Sequence, residues 1–216
     1  MDIQAKLTGF AMLGATWVMW VLVGLSIGGV AIALDRAIYL IRTSDNYRRL
    51  KRELLGFLRV GDVESARERL AASKSVEAQV AAAGLSAPED GAASAEERIA
   101  GATQVAKIRM ERRLAFLGTL GANAPFIGLL GTVIGIIRAF AELNEAAGKV
   151  TAGLMSEVGE ALVATAIGIM VAIPSIAVYN AYQRVIKTRI ARAESLGRDV
   201  LAYLKSDRTA QGAPVA

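Results

Sequence analysis

SEVGEALVATAIGIMVAIPSIAVYNAYQR, residues 156–184, is the stretch that decides the fold of this chain. Glu157 and Glu160 lie near its start, and after Glu160 it carries no charge until its last residue. About 20 apolar residues are enough for a helix to cross the hydrocarbon core of a bilayer. Thr165 and Ser175 lie inside this apolar run, and carboxylates at a membrane boundary are typical of ion pathways. We therefore predict a membrane-spanning helix with an acidic end and internal hydroxyl groups.

Two further uncharged runs, residues 7–34 and 114–137, have the length of a membrane span. A cleaved signal peptide is the alternative for the first run, but its apolar region would be only about 7–15 residues long. The chain is 54% hydrophobic, which is typical of membrane proteins. We therefore predict an all-α membrane protein with three transmembrane helices.

Basic residues predict the orientation of these spans. The first run is followed by Arg36, Arg42, Arg48 and Arg49. The second run is preceded by Lys107, Arg109, Arg112 and Arg113, and the third is followed by Arg184, Lys187, Arg189 and Arg192. Because cytoplasmic flanks of membrane spans are enriched in lysine and arginine, these ends are predicted to be cytoplasmic. The net charge of +5 is therefore assigned to membrane flanks rather than to nucleic-acid binding.

The predicted organisation follows from these boundaries. Residues 1–10 form a periplasmic amino terminus, residues 11–41 form the first transmembrane helix with its cytoplasmic end, and residues 42–113 form a cytoplasmic helical domain. The second transmembrane helix covers residues 114–140, a short periplasmic loop covers residues 141–152, and the third transmembrane helix covers residues 153–184. A cytoplasmic helix at residues 185–205 and a disordered tail at residues 206–216 follow. The long helices thus extend from the membrane into the cytoplasm.

Within residues 42–113, local signals predict several helices. One covers about residues 45–59 and is followed by a turn at Gly61 and a helix capped by Asp62. A third helix ends near Gly84. Ser94 and Glu97 form a capping box, which predicts a new helix start, and no breaker follows before Pro125.

Small residues follow one face of each of the last two spans. The stripe of the second span consists of Gly118, Gly121, Pro125, Gly128, Thr132, Gly135 and Ala139. The stripe of the third span consists of Glu157, Ala161, Thr165, Gly168, Ala172 and Ser175. Such stripes typically pack helices together in membranes, so we assign helix packing to Gly128, Gly131, Gly135, Gly168 and Pro174. The threonines have two interpretations: a hydroxyl in a membrane helix commonly bonds the carbonyl one turn back, or it contacts ions. Spacing alone favours Glu157 over Glu160 as the carboxylate of an ion pathway, because Glu157 lies on the stripe.

The composition excludes several kinds of site. The chain has no cysteine and no histidine, so disulfides, thiolate metal sites and histidine proton carriers are excluded. Any proton relay must use carboxylates, hydroxyls and water. We expect no cofactor, no metal and no conventional enzyme activity.

The sequences APFIGLLGTVIGIIRAF and GEALVATAIGIMVAIPSIAVYNAYQR resemble the paired motifs of the MotA/TolQ/ExbB proton-channel family. The three-span layout is similar to the TolQ/ExbB branch rather than to the four-span MotA branch. Matched position by position, the resemblance implies ion-pathway roles for Thr132, Thr165 and Glu160, with Glu157 and Ser175 as possible accessory residues. The resemblance therefore favours Glu160 over Glu157 as the ion-pathway carboxylate, whereas the helical periodicity favours Glu157.

The resemblance also implies an assembly and a task. Five copies would form a ring around a dimeric, single-span partner that resembles ExbD or TolR, in the bacterial inner membrane. Ion flow past a membrane aspartate of that partner would drive mechanical work at the cell envelope, with H⁺ as the expected ion and Na⁺ as an open alternative. A structural membrane scaffold that oligomerises through its small-residue faces, and a stand-alone channel, are the other hypotheses. Co-purification of the single-span partner distinguishes them.

Overall fold

The computed structural model describes residues 14–146 and 148–210, and every regular element in this part of the chain is helical. In chain order the α-helices are α1 (Thr16–Arg42), α2 (Tyr47–Arg59), α3 (Val63–Ala71), α4 (Val76–Gly84), α5 (Gly91–Glu111), α6 (Leu114–Glu145) and α7 (Ala152–Ala210), and a short 3₁₀ turn at Pro88–Asp90 precedes α5. By length and composition, three described stretches within Thr16–Arg59, Leu114–Glu145 and Ala152–Ser206 are able to cross a membrane. The all-helical architecture and the three candidate spans agree with the sequence-based prediction.

The chain divides into two compact units. The apolar unit comprises Met1–Leu34 and Arg113–Ala181, and the polar unit comprises Asp35–Arg112 and Tyr182–Ala216. Helices α1 and α7 therefore contribute residues to both units.

The apolar unit combines a small core with an apolar outer surface. Its core includes Val18, Leu22, Leu120, Ala124, Ile134, Val171 and Ala172. Large apolar side chains are nevertheless exposed on all three of its helices, among them Trp20, Phe126 and Met170. An apolar surface of this extent marks a contact with lipid or protein rather than with water, which agrees with helices that cross a membrane.

The polar unit begins its helices with side-chain caps. The side chains of Asn46, Asp62 and Ser75 accept hydrogen bonds from backbone amides at the starts of α2, α3 and α4. Gly61 has φ +74° in the turn before α3, so the predicted turn and the predicted Asp62 cap are confirmed. The core of this unit is formed by apolar residues of α2 to α5 and α7: Leu50, Leu54, Leu58, Ala66, Leu70, Ala78, Ala81, Leu85, Ala92, Ala95, Leu196, Val200 and Leu204.

A buried arginine also belongs to the polar unit. Arg189 is 5% exposed, and its guanidinium group contacts Glu77 Oε1 at 3.4 Å. The same group donates to the carbonyl oxygen of Leu40 at 3.0 Å and to both oxygens of Thr43. These acceptors lie at the C-terminal end of α1, where carbonyls lack partners in the helix. Arg189 thus binds acceptors at the end of α1 and one oxygen of the Glu77 carboxylate on α4.

Two local predictions are wrong. Helix α5 begins at Gly91 rather than at Ser94, and Asp90, its N-cap, makes no side-chain capping bond. Gly91 and Ala92 are buried, so tertiary packing extends the helix ahead of the capping box. The predicted continuous helix up to Pro125 is interrupted after α5, because Arg113 has φ +65° and a left-handed residue cannot continue a right-handed helix.

The ends of the long helices also differ from the predicted boundaries. Helix α6 continues to Glu145, and α7 runs without interruption from Ala152 to Ala210, with Pro174 inside it. The helix therefore continues past the predicted end at residue 205. The predicted periplasmic amino terminus, residues 1–10, and residues 211–216 of the predicted tail lie outside the described residues.

Candidate functional site

The two predicted small-residue stripes pack against each other in the apolar unit. A Cβ atom on Gly128 of α6 would lie 2.8 Å from the carbonyl oxygen of Ala164. A Cβ atom on Gly168 of α7 would lie 2.6 Å from the carbonyl oxygen of Ala124. Both obstacles are backbone atoms, so only glycine allows this approach of the two helices. We call this contact the glycine seam; it contains Gly128, Gly131, Gly135 and Gly168.

The other packing residues divide into two groups. A Cβ atom on Gly131 would lie 2.7 Å from Ala164 Cβ, and one on Gly135 would lie 2.5 Å from Ala161 Cβ. Both glycines therefore belong to the seam, as predicted. Pro174 is exposed inside α7, so the packing role predicted for it stays a prediction.

Thr132 and Thr165 form a hydroxyl pair in the glycine seam. Their Oγ1 atoms are hydrogen-bonded to each other. Thr132 Oγ1 lies 3.2 Å from the carbonyl oxygen of Ala161 and 3.4 Å from that of Gly128, and Thr165 Oγ1 lies 3.2 Å from the Gly128 carbonyl. The two threonines predicted to face one path are thus brought together. Sequence spacing placed each on a stripe, but only the structure shows the contact between them.

Ser175 is separate from this pair. Its Oγ donates to the carbonyl oxygen of Val171 at 2.7 Å. This is the local bond one turn back that serine commonly makes inside helices. The accessory role predicted for Ser175 gains no support from its described contacts.

Glu157 forms an ion pair with Arg138 where α6 approaches the start of α7. Arg138 Nη2 lies 3.0 Å from Glu157 Oε1, and the two side chains are 32% and 17% exposed. The Arg138 guanidinium also lies against Gly14, whose φ is +84°. A side chain at Gly14 would therefore meet both an unfavourable backbone conformation and the guanidinium group. The carboxylate that spacing alone favours is therefore the one that Arg138 binds.

Glu160 is held by a residue that the sequence analysis missed. Thr16 Oγ1, at the start of α1, donates a hydrogen bond of 2.5 Å to Glu160 Oε1. The bond joins positions 144 residues apart in the chain and is exposed. No periodicity or motif connects residues at that separation, so the sequence offered no signal for Thr16.

The arrangement combines carboxylates and hydroxyls in one unit. Two carboxylates lie at one end of the apolar unit, and two paired hydroxyls lie farther along α6 and α7. Carboxylates accept protons or cations, whereas hydroxyls both donate and accept hydrogen bonds. Glu160, Thr165 and Thr132 therefore provide acceptors along one packed pair of helices.

Comparisons with known proteins assign a family to this architecture. Residues 72–195 match the sequence model described as the MotA/TolQ/ExbB proton channel family. The matched range includes the glycine seam, both threonines and both glutamates. It covers more than half of the chain.

Individual relatives carry related names. An ExbB-like biopolymer transport protein of Helicobacter pylori is 46% identical over 74 residues, which is 34% of this chain and 49% of that protein. The biopolymer transport protein ExbB of Neisseria gonorrhoeae is 36% identical over 100 residues, or 46% of each chain. The ExbB of Salmonella typhimurium is 32% identical over 173 residues, 74% of this chain and 70% of that protein.

The match to the Helicobacter and Neisseria proteins thus spans about half of their length, whereas the match to the Salmonella protein is longer. The family match, the three candidate membrane helices and the relatives named ExbB agree with one another. This chain therefore belongs to the MotA/TolQ/ExbB proton channel family, in its ExbB/TolQ branch.

Proposed function

We propose that this chain is a channel-forming subunit of an ion-driven motor that couples the ion-motive force to mechanical work at the cell envelope. The observation that carries the proposal is the Thr132–Thr165 hydroxyl pair inside the glycine seam. Two hydroxyls in direct contact within an apolar unit supply polar groups where lipid-facing helices would have none. Membership of a proton channel family supports the same function.

The proposed mechanism uses a carboxylate of a second protein. The oxygens of Thr132 and Thr165 hydrogen-bond water or an ion beside a membrane aspartate of that partner. Protonation of the aspartate removes the cost of moving its charge along the wall, and the partner then turns or shifts. A membrane potential supplies about 2.3 kcal/mol per charge per 100 mV, so several ions drive one working step. We propose H⁺ as the ion.

The proposed setting is the bacterial inner membrane. Basic flanks of the three spans support a periplasmic amino terminus and a cytoplasmic carboxyl terminus. They also support a cytoplasmic location for the polar unit. Five copies around a dimer of a single-span ExbD/TolR-like protein form the proposed assembly.

The scaffold hypothesis is less well supported by the packing. It requires the small-residue faces of α6 and α7 to bind other copies. Within this chain, however, Gly128, Gly135 and Gly168 are already packed in the glycine seam. The seam therefore builds the subunit itself and leaves these faces unavailable for association between copies.

Purification and flux measurement test the proposed function. The chain is purified from its native membranes, and the complex is reconstituted into vesicles that contain a pH-sensitive dye. A potassium diffusion potential should acidify the vesicle interior in sodium-free buffer. We expect a single-span protein with a membrane aspartate in the complex, and we expect Thr132→Val and Thr165→Val to reduce the flux at least about tenfold, a factor equal to about 1.4 kcal/mol.

Thr119→Val is the matched control, because Thr119 is an exposed threonine of α6. The control variant should retain normal flux, and all variants must assemble as the unchanged chain does. Flux that depends on Na⁺ would identify sodium, rather than the proton, as the transported ion. Normal flux in both seam variants, or flux without any partner, would contradict the proposed mechanism.

A further inference from the structure

Glu157 and Glu160 lie one helical turn apart on α7 but have partners of different chemistry. Arg138 of α6 binds Glu157, and Thr16 of α1 binds Glu160. The first partner is a permanent cation, whereas the second is a neutral hydroxyl. Sequence periodicity and family resemblance rank the two carboxylates in opposite orders, so this difference decides which of them is suited to take up an ion.

Glu157 has the environment of a fixed structural charge. Its side chain is 17% exposed, and its Oε2 atom is buried without a hydrogen-bond partner among the described residues. The guanidinium of arginine has five donors and no acceptor. It can only donate, and a proton on Glu157 would weaken the contact, because the neutral acid keeps an acceptor oxygen but loses the charge that attracts the guanidinium. The Arg138–Glu157 pair is neutral as a unit and ties α6 to α7.

Glu160 has the environment of an exchangeable group. Its hydrogen bond with Thr16 is exposed, and the described residues place no cation within ion-pair distance of its carboxylate. A hydroxyl group is both a donor and an acceptor. Thr16 donates to an ionised Glu160, and after rotation of its hydroxyl it accepts from a protonated Glu160. The Thr16 contact thus persists through a change of protonation that would remove the charge attraction of the arginine pair.

We propose that Thr16 is a positioning residue for Glu160, and that the Arg138–Glu157 pair leaves Glu160 as the carboxylate that exchanges the ion. This inference rests on the proposed function. Thr16 holds the Glu160 side chain against α1 in both protonation states, so the carboxylate keeps one position while ions pass. Glu157 serves as the fixed link between the two helices of the glycine seam.

Flux measurements on the reconstituted complex test the inference. Thr16→Val keeps the shape of the side chain but removes its hydroxyl, and we expect it to reduce the proton flux about tenfold, equal to about 1.4 kcal/mol. Thr16→Ser retains the hydroxyl and should restore most of the flux. In a Glu160→Gln background, Thr16→Val should cause no further loss, because residues that act through one another are not additive.

A second measurement does not depend on activity. The chain contains no native cysteine, so Thr16→Cys combined with Glu160→Cys should form a disulfide within one chain under mild oxidation. Thr16→Cys with Leu162→Cys is the control pair, because Leu162 is 62% exposed and lies about 200° around the helix from Glu160. This control should not cross-link.

The outcomes separate the inference from the proposed function. Absence of the Thr16–Glu160 cross-link, normal flux in Thr16→Val, or additive losses in the double variant would each overturn the positioning role alone. A complete, correctly assembled complex without any flux would overturn the proposed function, and the positioning role with it, even where the cross-link forms. Loss of flux in Thr16→Val, rescue by Thr16→Ser and a specific cross-link would support the inference.

Discussion

In the apolar unit, α6 and α7 meet through glycine and threonine, whereas in the polar unit the helices meet through leucine. Gly128 and Gly168 bring two backbones together, while Leu54 and Leu196 fill a core of large side chains. On the surfaces, the large apolar side chains are found on the apolar unit instead. The apolar unit exposes large side chains such as Phe126 and Leu162, and the polar unit exposes charged groups such as Arg49 and Arg198.

The difference follows from the solvent that each unit is built for. In water, burial of a leucine removes apolar surface from contact with the solvent and stabilises the fold by about 1.5–3 kcal/mol. In lipid this driving force is absent between helices, so close packing and hydrogen bonds hold the helices together. Substitutions of matched chemistry in the two units therefore test whether each unit follows its own rule.

The largest expected effect is in the polar unit. Arg189→Gln should lower the free energy of unfolding by about 3–5 kcal/mol, because it leaves the buried Glu77 carboxylate without its cation. The control is Arg198→Gln in the same helix, where Arg198 is 79% exposed and paired with Glu194. That change should cost about 0–1 kcal/mol. Denaturant unfolding of the full chain in detergent micelles measures both values, and equal values would refute the role of Arg189 as a buried link.

The same leucine substitution should have different effects in the two units. Leu54→Ala removes a fully buried side chain from the polar unit and should cost about 2–5 kcal/mol. Leu129→Ala changes a side chain of α6 that is 52% exposed and should cost less than about 0.5 kcal/mol. Unfolding titrations under one set of conditions compare them. A loss at Leu129 as large as that at Leu54 would show that its exposed face is packed in the assembly.

The glycine seam should respond to a single methyl group. Gly168→Ala places a Cβ atom 2.6 Å from the carbonyl oxygen of Ala124 and should lower stability by about 1–3 kcal/mol. Gly159→Ala in the same helix meets no atom within 4 Å, so its higher helix propensity should stabilise the chain by up to about 1 kcal/mol. Thermal unfolding by circular dichroism gives the sign of each change. Destabilisation by both would indicate a general demand for glycine in α7 rather than a close contact.

The smallest expected effect concerns pH in the polar unit. A hydrogen bond from Ser73 to Asp45 lowers the pKa of the Asp45 carboxyl below its ordinary value of 3.8, against the opposing effect of burial, with further contributions from the Asn46 amide and Arg69. A lowered folded-state pKa contributes stability above the unfolded pKa, and that stability is lost as the pH falls through the folded pKa.

Ser73→Ala should therefore make unfolding less dependent on pH between about pH 5 and pH 3. The comparison uses the pH slope rather than absolute stability, because Ser73 also bonds Ser75. Unfolding titrations at several pH values measure the slope. An unchanged slope in the variant would exclude the Ser73 hydroxyl as the cause.

Local signals predicted much of the fold. The Asp62 cap and the Gly61 turn depend on neighbouring residues, and the apolar runs give the helices that are able to span a membrane. The break at Arg113 was missed because arginine gives no signal for a positive φ. The start of α5 was misplaced because burial of Gly91 and Ala92 is a tertiary property.

The site was predictable only in part for a similar reason. Helical periodicity placed Thr132 and Thr165 on faces that do meet, because stripes of small residues predict a contact without reference to distance in the chain. The partners of Glu157 and Glu160 depend on how α1 and α6 lie beside α7, which no local pattern encodes. Neither Arg138 as the partner of Glu157 nor Thr16 as the partner of Glu160 was therefore predicted.

The threonine pair has a consequence for the proposed ion pathway. Its two hydroxyl protons have more acceptors than they can occupy: the other hydroxyl, the Gly128 carbonyl and the Ala161 carbonyl. In one arrangement Thr132 donates to Thr165, which donates to Gly128; in the other Thr165 donates to Thr132, which donates to Ala161. Rotation of two hydroxyl groups interconverts these arrangements without displacement of a heavy atom. The pair therefore allows two opposite directions of its hydrogen-bond chain, and the close contact of the glycine seam is compatible with both.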